Sequence, residues 1–450
     1  MVNYPAYKNS GVSWLGEIPK HWELKPLRAI FHIRNEKNSP VKTVQILSLS
    51  IAKGVTLYSD KGRGGNKAKD DLTAYKIAHP NDIVLNSMNV IVGAVGLSKY
   101  FGAISPVYYA IYVRQYNHND INYYAKIFSN HNFQRYLSIY GKGILIKKTD
   151  TGKLNTIRMK ISLEDLKKIV LPIPPTDEQI KISRYLDWKT SKINKFIKAK
   201  IELIALLKEQ KKNIINEAIT KGINPNQKMK DSGIGWLGET PEHWDLKKLK
   251  FCSTMKSGEN LTSQDINESG LFPVYGGNGI RGYYDKFNKK GTYLLIGRQG
   301  ALCGNVHKID GEFWATEHAV VTTVKEDINI DWYFFMLSFM NLNQYSESAA
   351  QPGISVEKIL KLKTAVPPLI EQQEIANHIY KETHLINKTI ARTLKEIELI
   401  QEYQTRLISD LVTGKIDVRS INIPDVEPID KEADISEDNI DELVQEDMDQ

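Results

Sequence analysis

Residues 8–28, KNSGVSWLGEIPKHWELKPLR, return as residues 230–250, KDSGIGWLGETPEHWDLKKLK, with 13 of 21 positions identical. Repetition of that fidelity means one folded unit occurs twice in the chain. A second pair lies further on. Pro174, Pro175, Glu178, Gln179 and Ile182 return as Pro367, Pro368, Glu371, Gln372 and Ile375, now 193 residues later. The same offset carries Ser162 and Glu164 onto Ser355 and Glu357, and Thr220 with Ile223 onto Thr413 with Ile416. The first offset is 222, so the stretch between the two repeated motifs is 29 residues longer in the first half. Each half is therefore a constant frame around a variable middle.

The constant segment after each Pro-Pro reads as a long helix. Proline is tolerated at a helix start, Thr176 or Asp177 can cap it, and no glycine or proline interrupts Asp177 to Lys221. Ile193, Ile197, Lys200, Ile204, Leu207, Lys211, Ile214 and Ala218 alternate spacings of three and four. In the second half Ile386, Ile390, Thr393, Ile397, Ile400, Gln404, Leu407 and Leu411 keep the same phase. That is a coiled-coil seam, broken by polar residues at the same two places in both copies. Antiparallel pairing about residues 205 and 398 would set Lys200 opposite Gln404 and Lys211 opposite Thr393.

The variable middles, about 29 to 161 and 251 to 354, hold short β-rich runs punctuated by glycine and asparagine. Examples are Asp82-Ile-Val-Leu, Val107 to Val113, Tyr293-Leu-Leu-Ile and Ala319 to Val324. Gly93-Ala-Val-Gly resembles Gly300-Ala-Leu-Cys-Gly, so the two middles are expected to share a fold and differ in surface. The fold class is α+β: two mixed α/β domains separated by two long antiparallel helices forming a coiled coil, with a pseudo-two-fold internal repeat. The expected divisions are 1–170 and 229–363 for the mixed domains, 171–228 and 364–419 for the helices, and 420–450 for an acidic, disordered tail.

Composition narrows the function. At 450 residues more than one globular unit is expected, and 41% hydrophobic with 25% charged residues is ordinary for a soluble chain. No apolar run reaches the roughly 20 residues of a membrane span. Two cysteines, Cys252 and Cys303, supply no disulfide framework. The opening Met-Val-Asn-Tyr-Pro lacks a signal-peptide pattern, so a cytoplasmic protein is expected. Residues 421–450 carry twelve acidic residues and one basic, net −11, which leaves the other 420 residues at +18. An excess of that sign suits a polyanion such as DNA.

Gly277-Asn-Gly-Ile-Arg-Gly282 matches the dinucleotide fingerprint GxGxxG, but no helical pattern follows it. It reads as a glycine-rich loop presenting Asn278 and Arg281 just after Tyr275. Arginine suits guanine edges and asparagine or glutamine suits adenine. Arg63, Asn66 and Lys67 in Gly62-Arg-Gly-Gly-Asn-Lys67 have similar chemistry, without the ending of a P-loop. Arg298, Gln299, Thr316 and His318 fall at strand ends in the second middle, as do Asn86 and Ser87 in the first. Lys142, Lys147 and Lys148 lie in a basic, glycine-flanked stretch suited to phosphates. A solvated turn or a capped strand end competes with each of these readings.

No catalytic constellation is legible. Glu23-Leu-Lys25 has an ExK form that the second copy changes to Asp245-Leu-Lys247, and His21 and His243 are single repeated histidines of structural character. Trp14, Trp22, Trp236 and Trp244 belong to the frame and read as packing anchors. No metal or catalytic residue is assigned.

SGxxWLGExPxHWxLKxL entering each middle, and S-x-E followed by Pro-Pro-x-x-E-Q leaving it, resembles the DNA-specificity subunit of Type I restriction-modification systems. The resemblance runs from about residue 7 to 419. It implies two target-recognition domains at opposite ends of a helix pair, each reading one half of a bipartite double-stranded DNA target, with the helices setting the spacer. It further implies no chemistry in this chain. Two modification subunits using S-adenosylmethionine, and restriction subunits using ATP and magnesium, are the expected partners; no cofactor is expected on this chain and no membrane. A restriction endonuclease carrying its own recognition domains and a structural coiled-coil DNA-binding protein are the rival readings.

Overall fold

The computed structural model describes residues 3–51, 53–60, 68–114, 118–145, 157–300, 302–346 and 353–424. The described chain forms two units, one of residues 3–200 with 396–424 and the other of residues 201–395. No helix among the described residues is long and apolar enough to cross a membrane.

The first unit opens with a ladder of Tyr7–Asn9 on Glu17–Pro19, followed by Glu23–Pro26 paired with Val170–Ile173. Its centre is an antiparallel sheet in the order Phe31–Arg34, Tyr108–Val113, Ile83–Asn86, Val95–Leu97. The second unit repeats this. Met229–Asp231 pairs with Glu239–Pro241, and Asp245–Lys248 with Lys363–Val366. The central sheet runs Ser253–Ser257, Ala319–Val324, Tyr293–Gly297, Val306–Ile309. Both sheets thus have the same strand order. The glycine-bearing resemblance noted above falls, in each, at the connection between the third and fourth strands.

The strands legible in the sequence are the two middle ones of each sheet. A middle strand is flanked by neighbours on both sides and reads as a mostly apolar run, while three of the four edge strands mix polar with apolar residues and the fourth, Val95–Leu97, has only three residues. The units diverge outside this sheet. The first adds two-stranded ladders, Leu47–Ser50 with Gly54–Leu57 and Lys76–Ala78 with Gly102–Ile104. The second builds a four-stranded sheet from Phe272–Gly276, Gly279–Tyr284, Glu312–Ala315 and Lys289–Lys290, in which Phe272–Gly276 and Glu312–Ala315 run parallel.

The long helices span Thr176–Lys221 and Leu369–Val412, 46 and 44 residues. In the first unit Ile182, Tyr185 and Leu186 share one core with Leu407, Leu411 and Val412. The chain then turns at Gly414, whose φ of 75° and closeness to Pro19 and Trp22 leave no room for a side chain. In the second unit Ala218 and Ile219 share a core with Ile375, Ala376 and Ile379. The seam isoleucines 193, 197, 204, 386, 390 and 397 are all buried. One expectation fails. Lys200 pairs with Glu396 at 2.8 Å, not with Gln404. Glu396 lies eight residues, about 12 Å along the helix, from Gln404. The helix ends, packed into the cores, set the alignment, and a half-buried lysine takes the carboxylate that alignment offers.

Candidate nucleic-acid interface

The repeated motifs build the platform on which each candidate rim stands. In the first unit Glu178, near the start of its long helix and 3% exposed, accepts from Trp22 Nε1 at 2.9 Å and from the Tyr4 hydroxyl at 3.1 Å. His21 Nε2 lies 2.7 Å from its other oxygen. Burial first, then the Glu178 charge, pushes the Tyr4 hydroxyl far above its ordinary range, so it stays a neutral donor. In the second unit Glu371 repeats this, with Trp244 Nε1 at 3.1 Å and His243 Nε2 at 2.8 Å.

The next residue of the motif makes a second clamp. Gln179 donates to the Pro174 carbonyl at 2.8 Å and accepts from the Asp120 amide at 2.8 Å, where Asp120 caps the helix Ile121–Phe128. Gln372 donates to the Pro367 carbonyl at 2.9 Å and accepts from the Asn329 amide at 2.7 Å, where Asn329 caps Ile330–Phe339. Ser162 and Ser355 are likewise N-caps, of Leu163–Lys168 and Val356–Lys361. The Pro-Pro-x-x-E-Q, His-Trp and S-x-E motifs are thus structural latches. Trp22 and Trp244 are buried, Trp14 packs on Phe133 at 4.9 Å, and Trp236 on Phe339 at 6.0 Å, as packing anchors should. Glu23 and Lys25 simply pair with each other at 2.8 Å on an exposed ladder.

In the second unit the candidates converge on one rim. Gly277-Asn278 is the two-residue turn of the hairpin joining Phe272–Gly276 to Gly279–Tyr284, so the GxGxxG string is a β-turn with Arg281 exposed on its returning strand. This turn lies over the end of the strand Tyr293–Gly297: a β-carbon on Gly297 would stand 2.1 Å from the Gly277 carbonyl. Beyond Gly297, the Arg298 amide donates to the His318 carbonyl at 2.9 Å. The Arg298 guanidinium reaches Ser257 Oγ at 3.2 Å, and His318 Nδ1 lies 3.1 Å from Gln299 Oε1. Asn278 accepts from Asn305 Nδ2 at 2.9 Å. The Tyr275 carbonyl accepts from the Thr316 amide at 2.9 Å.

Asn278, Arg281, Arg298, Gln299 and His318 therefore present amide, guanidinium and imidazole groups together, a set able to address base edges and phosphates. Thr316 is buried, which removes its side chain from the surface. Glu317, between the strand-end residues Thr316 and His318, lies 3.0 Å from His318 Nε2, and Ser257 and Asn305 join the rim although nothing in the sequence singles them out. Their place follows from the close approach at Gly297, which draws three connections together.

In the first unit the candidates are more dispersed. Asn86 ends the strand Ile83–Asn86 and accepts from the Met88 amide at 3.0 Å. Ser87 is buried, and its carbonyl accepts from the Ile161 amide at 3.0 Å. That contact has a counterpart in the second unit, the Ile354 amide on the Arg298 carbonyl at 3.0 Å. Ile161 follows the hairpin Lys142–Leu145 with Ile157–Lys160, in which exposed Lys142 stands opposite Lys160. Arg63, Asn66, Lys67, Lys147 and Lys148 lie outside the described residues.

The fold and these rims define a protein of two like modules, each latched to a long helix and each with its own polar edge. Residues 19–203 and 241–399 match the Type I restriction modification DNA specificity domain, and the chain belongs to that family. It is 48% identical over 145 residues to the Type I restriction enzyme EcoprrI specificity subunit of Escherichia coli, covering 31% of this chain and 36% of that one. With the MjaVIII specificity subunit of Methanocaldococcus jannaschii it shares 26% identity, over 56% of this chain and 64% of the relative. These two matches thus span only about a third and under two thirds of the relatives' own lengths. The putative MjaX specificity subunit of the same archaeon is 23% identical over 93% of this chain and 99% of its own. Among solved structures, a chain from work on complex assembly and conformational transition of the type I R-M system superposes with a TM-score of 0.64 at 11% identity. That superposition covers 89% of this chain and 99% of the other, and shows likeness of fold.

Proposed function

We propose that this chain is the non-catalytic DNA-specificity subunit of a Type I restriction-modification complex. Each unit reads one half of a bipartite duplex target, and the long helices, an antiparallel coiled coil with pseudo-two-fold symmetry, set the spacer. The carrying observation is that both units share a strand order and a Glu–His–Trp latch while their rims differ in residues and in supporting strands. A shared frame with unlike rims is what independent reading of two different half-sites requires. The start of each long helix shares a core with the end of the other, and this, with the buried isoleucines along both seams, supports the antiparallel coiled coil. Modification subunits carrying S-adenosylmethionine and restriction subunits using ATP and magnesium would supply the chemistry.

Methylation mapping in a host expressing the chain with its cognate modification subunit tests the reading. Arg298→Ala should relax or lose one half of the methylated motif, at about 1–3 kcal/mol for a base contact, and leave the other half and the spacer intact. Loss of both halves together, or methylation of an undivided site, would refute two independent readers.

A further inference from the structure

The N-terminal half of the first long helix carries a charge pattern that the repeat does not explain. Residues 181–200 hold seven lysines and arginines against one acid, Asp187. Their repeat equivalents, 374–393, hold three against two, and Lys181 and Lys189 correspond to Glu374 and Glu382. A segment whose only duty was to pair helices would have no reason to diverge so far in sign. Arg184, Lys192, Lys195 and Lys198 are all exposed. At 3.6 residues per turn they fall within about a third of the helix circumference, opposite the seam of Leu186, Ile193 and Ile197. Aromatic rings flank the stripe. Lys189 and Lys192 stand 4.8 and 4.4 Å from the centre of the Trp188 ring, and Phe196 is 44% exposed.

The chain that follows the second long helix returns to the foot of this stripe. Lys181 Nζ donates to the Arg419 carbonyl, the Arg419 guanidinium lies 4.9 Å from the Tyr4 ring centre, and Ile421 and Ile423 pack on the first unit's core. The described chain ends at Pro424, and residues 425–450 carry all twelve acids of the C-terminal stretch and a single lysine. For 26 residues the random-coil relation gives a reach of about 28 Å root-mean-square, and more when like charges repel. The stripe from Arg184 to Lys198 is about 21 Å long. Tethering puts the acids at roughly millimolar effective concentration beside the lysines.

We propose that the acidic segment 425–450 docks on the basic, aromatic-flanked face of the first long helix between Lys181 and Lys198. The attraction is Coulombic between exposed groups, so it weakens steeply with salt. The docking does not rest on the DNA-reading role and stands or falls apart from it.

The test is zero-length carbodiimide cross-linking of the full chain, mapped by mass spectrometry at about 50 mM and about 500 mM salt, concentrations that move the screening length from beyond 10 Å to well below it. Expected are links within one chain from carboxylates of 425–450 to Lys192, Lys195 and Lys198, falling at least about tenfold at the higher salt. The variant Lys192→Gln/Lys195→Gln/Lys198→Gln should also reduce links to Lys181 and Lys189, whose amines remain. Links spread over all exposed lysines, links only between chains, or unchanged Lys181 and Lys189 links in the variant would each overturn the proposal. So would a duplex oligonucleotide that shields these lysines while no tail link forms at either salt, which would give the face to nucleic acid.

Discussion

Glu178 satisfies a buried indole and a buried phenol with one carboxylate. An orphaned buried donor costs about 1–3 kcal/mol. Glu178→Ala should therefore lower unfolding stability by about 2–4 kcal/mol, and Glu371→Ala, which orphans only Trp244, by about 1–2 kcal/mol. Denaturant melts of the two variants check the order. The same locality predicts an acid response. Asp417 receives hydrogen bonds from Arg419, which hold its carboxyl below the ordinary value of 3.8. A lowered acid pKa stabilises the fold above the unfolded value and loses that contribution as pH falls through the folded one. The stability gap between the native chain and Asp417→Asn should thus be full above about pH 4 and close below it, as thermal unfolding at stepped pH will show. At this scale the sequence was partly legible. His21, Trp22, Glu178 and Gln179 stood out because they recur, and their contacts explain the recurrence. Ser257 and Asn305 did not, because nothing in the local pattern marks a side chain brought to the rim by contacts far along the chain.

At the scale of elements, periodicity told most. The helices run within a residue or two of where capping and the unbroken seam placed them, and the middle strands were visible as apolar runs. Edge strands and ladder partners escaped because short, half-polar strands carry little signal. Register escaped as well: Lys200 meets Glu396 and not Gln404, because a repeating apolar seam fits at more than one offset along the helix. Ile397→Ala should cost about 2–5 kcal/mol, the usual range for emptying a buried aliphatic site, whereas Lys200→Met should cost far less, because a lysine stem already fills much of that space. Urea unfolding of both variants would show the contrast. Gly297→Ala should displace the Gly277 turn and weaken reading through the second unit alone.

For the whole molecule, the doubled order of motifs was the strongest signal in the sequence, and it is also what ties the chain to its family. Substituting residues 29–161 from another family member should change one half-site and spare the other. Adding one helical turn between residues 193 and 218 should lengthen the spacer and spare both half-sites, and methylation mapping reads either outcome. The backbone contacts from Ile161 to Ser87 and from Ile354 to Arg298 have a further bearing on such exchanges. They fasten the strand end beneath each rim, through main-chain atoms alone, to the last residue of its own middle, one residue before the constant Ser162 and Ser355. Any sequence able to form the sheet can make that bond, so a foreign middle would carry its own tie between strand end and exit point, and its edge would arrive already aimed.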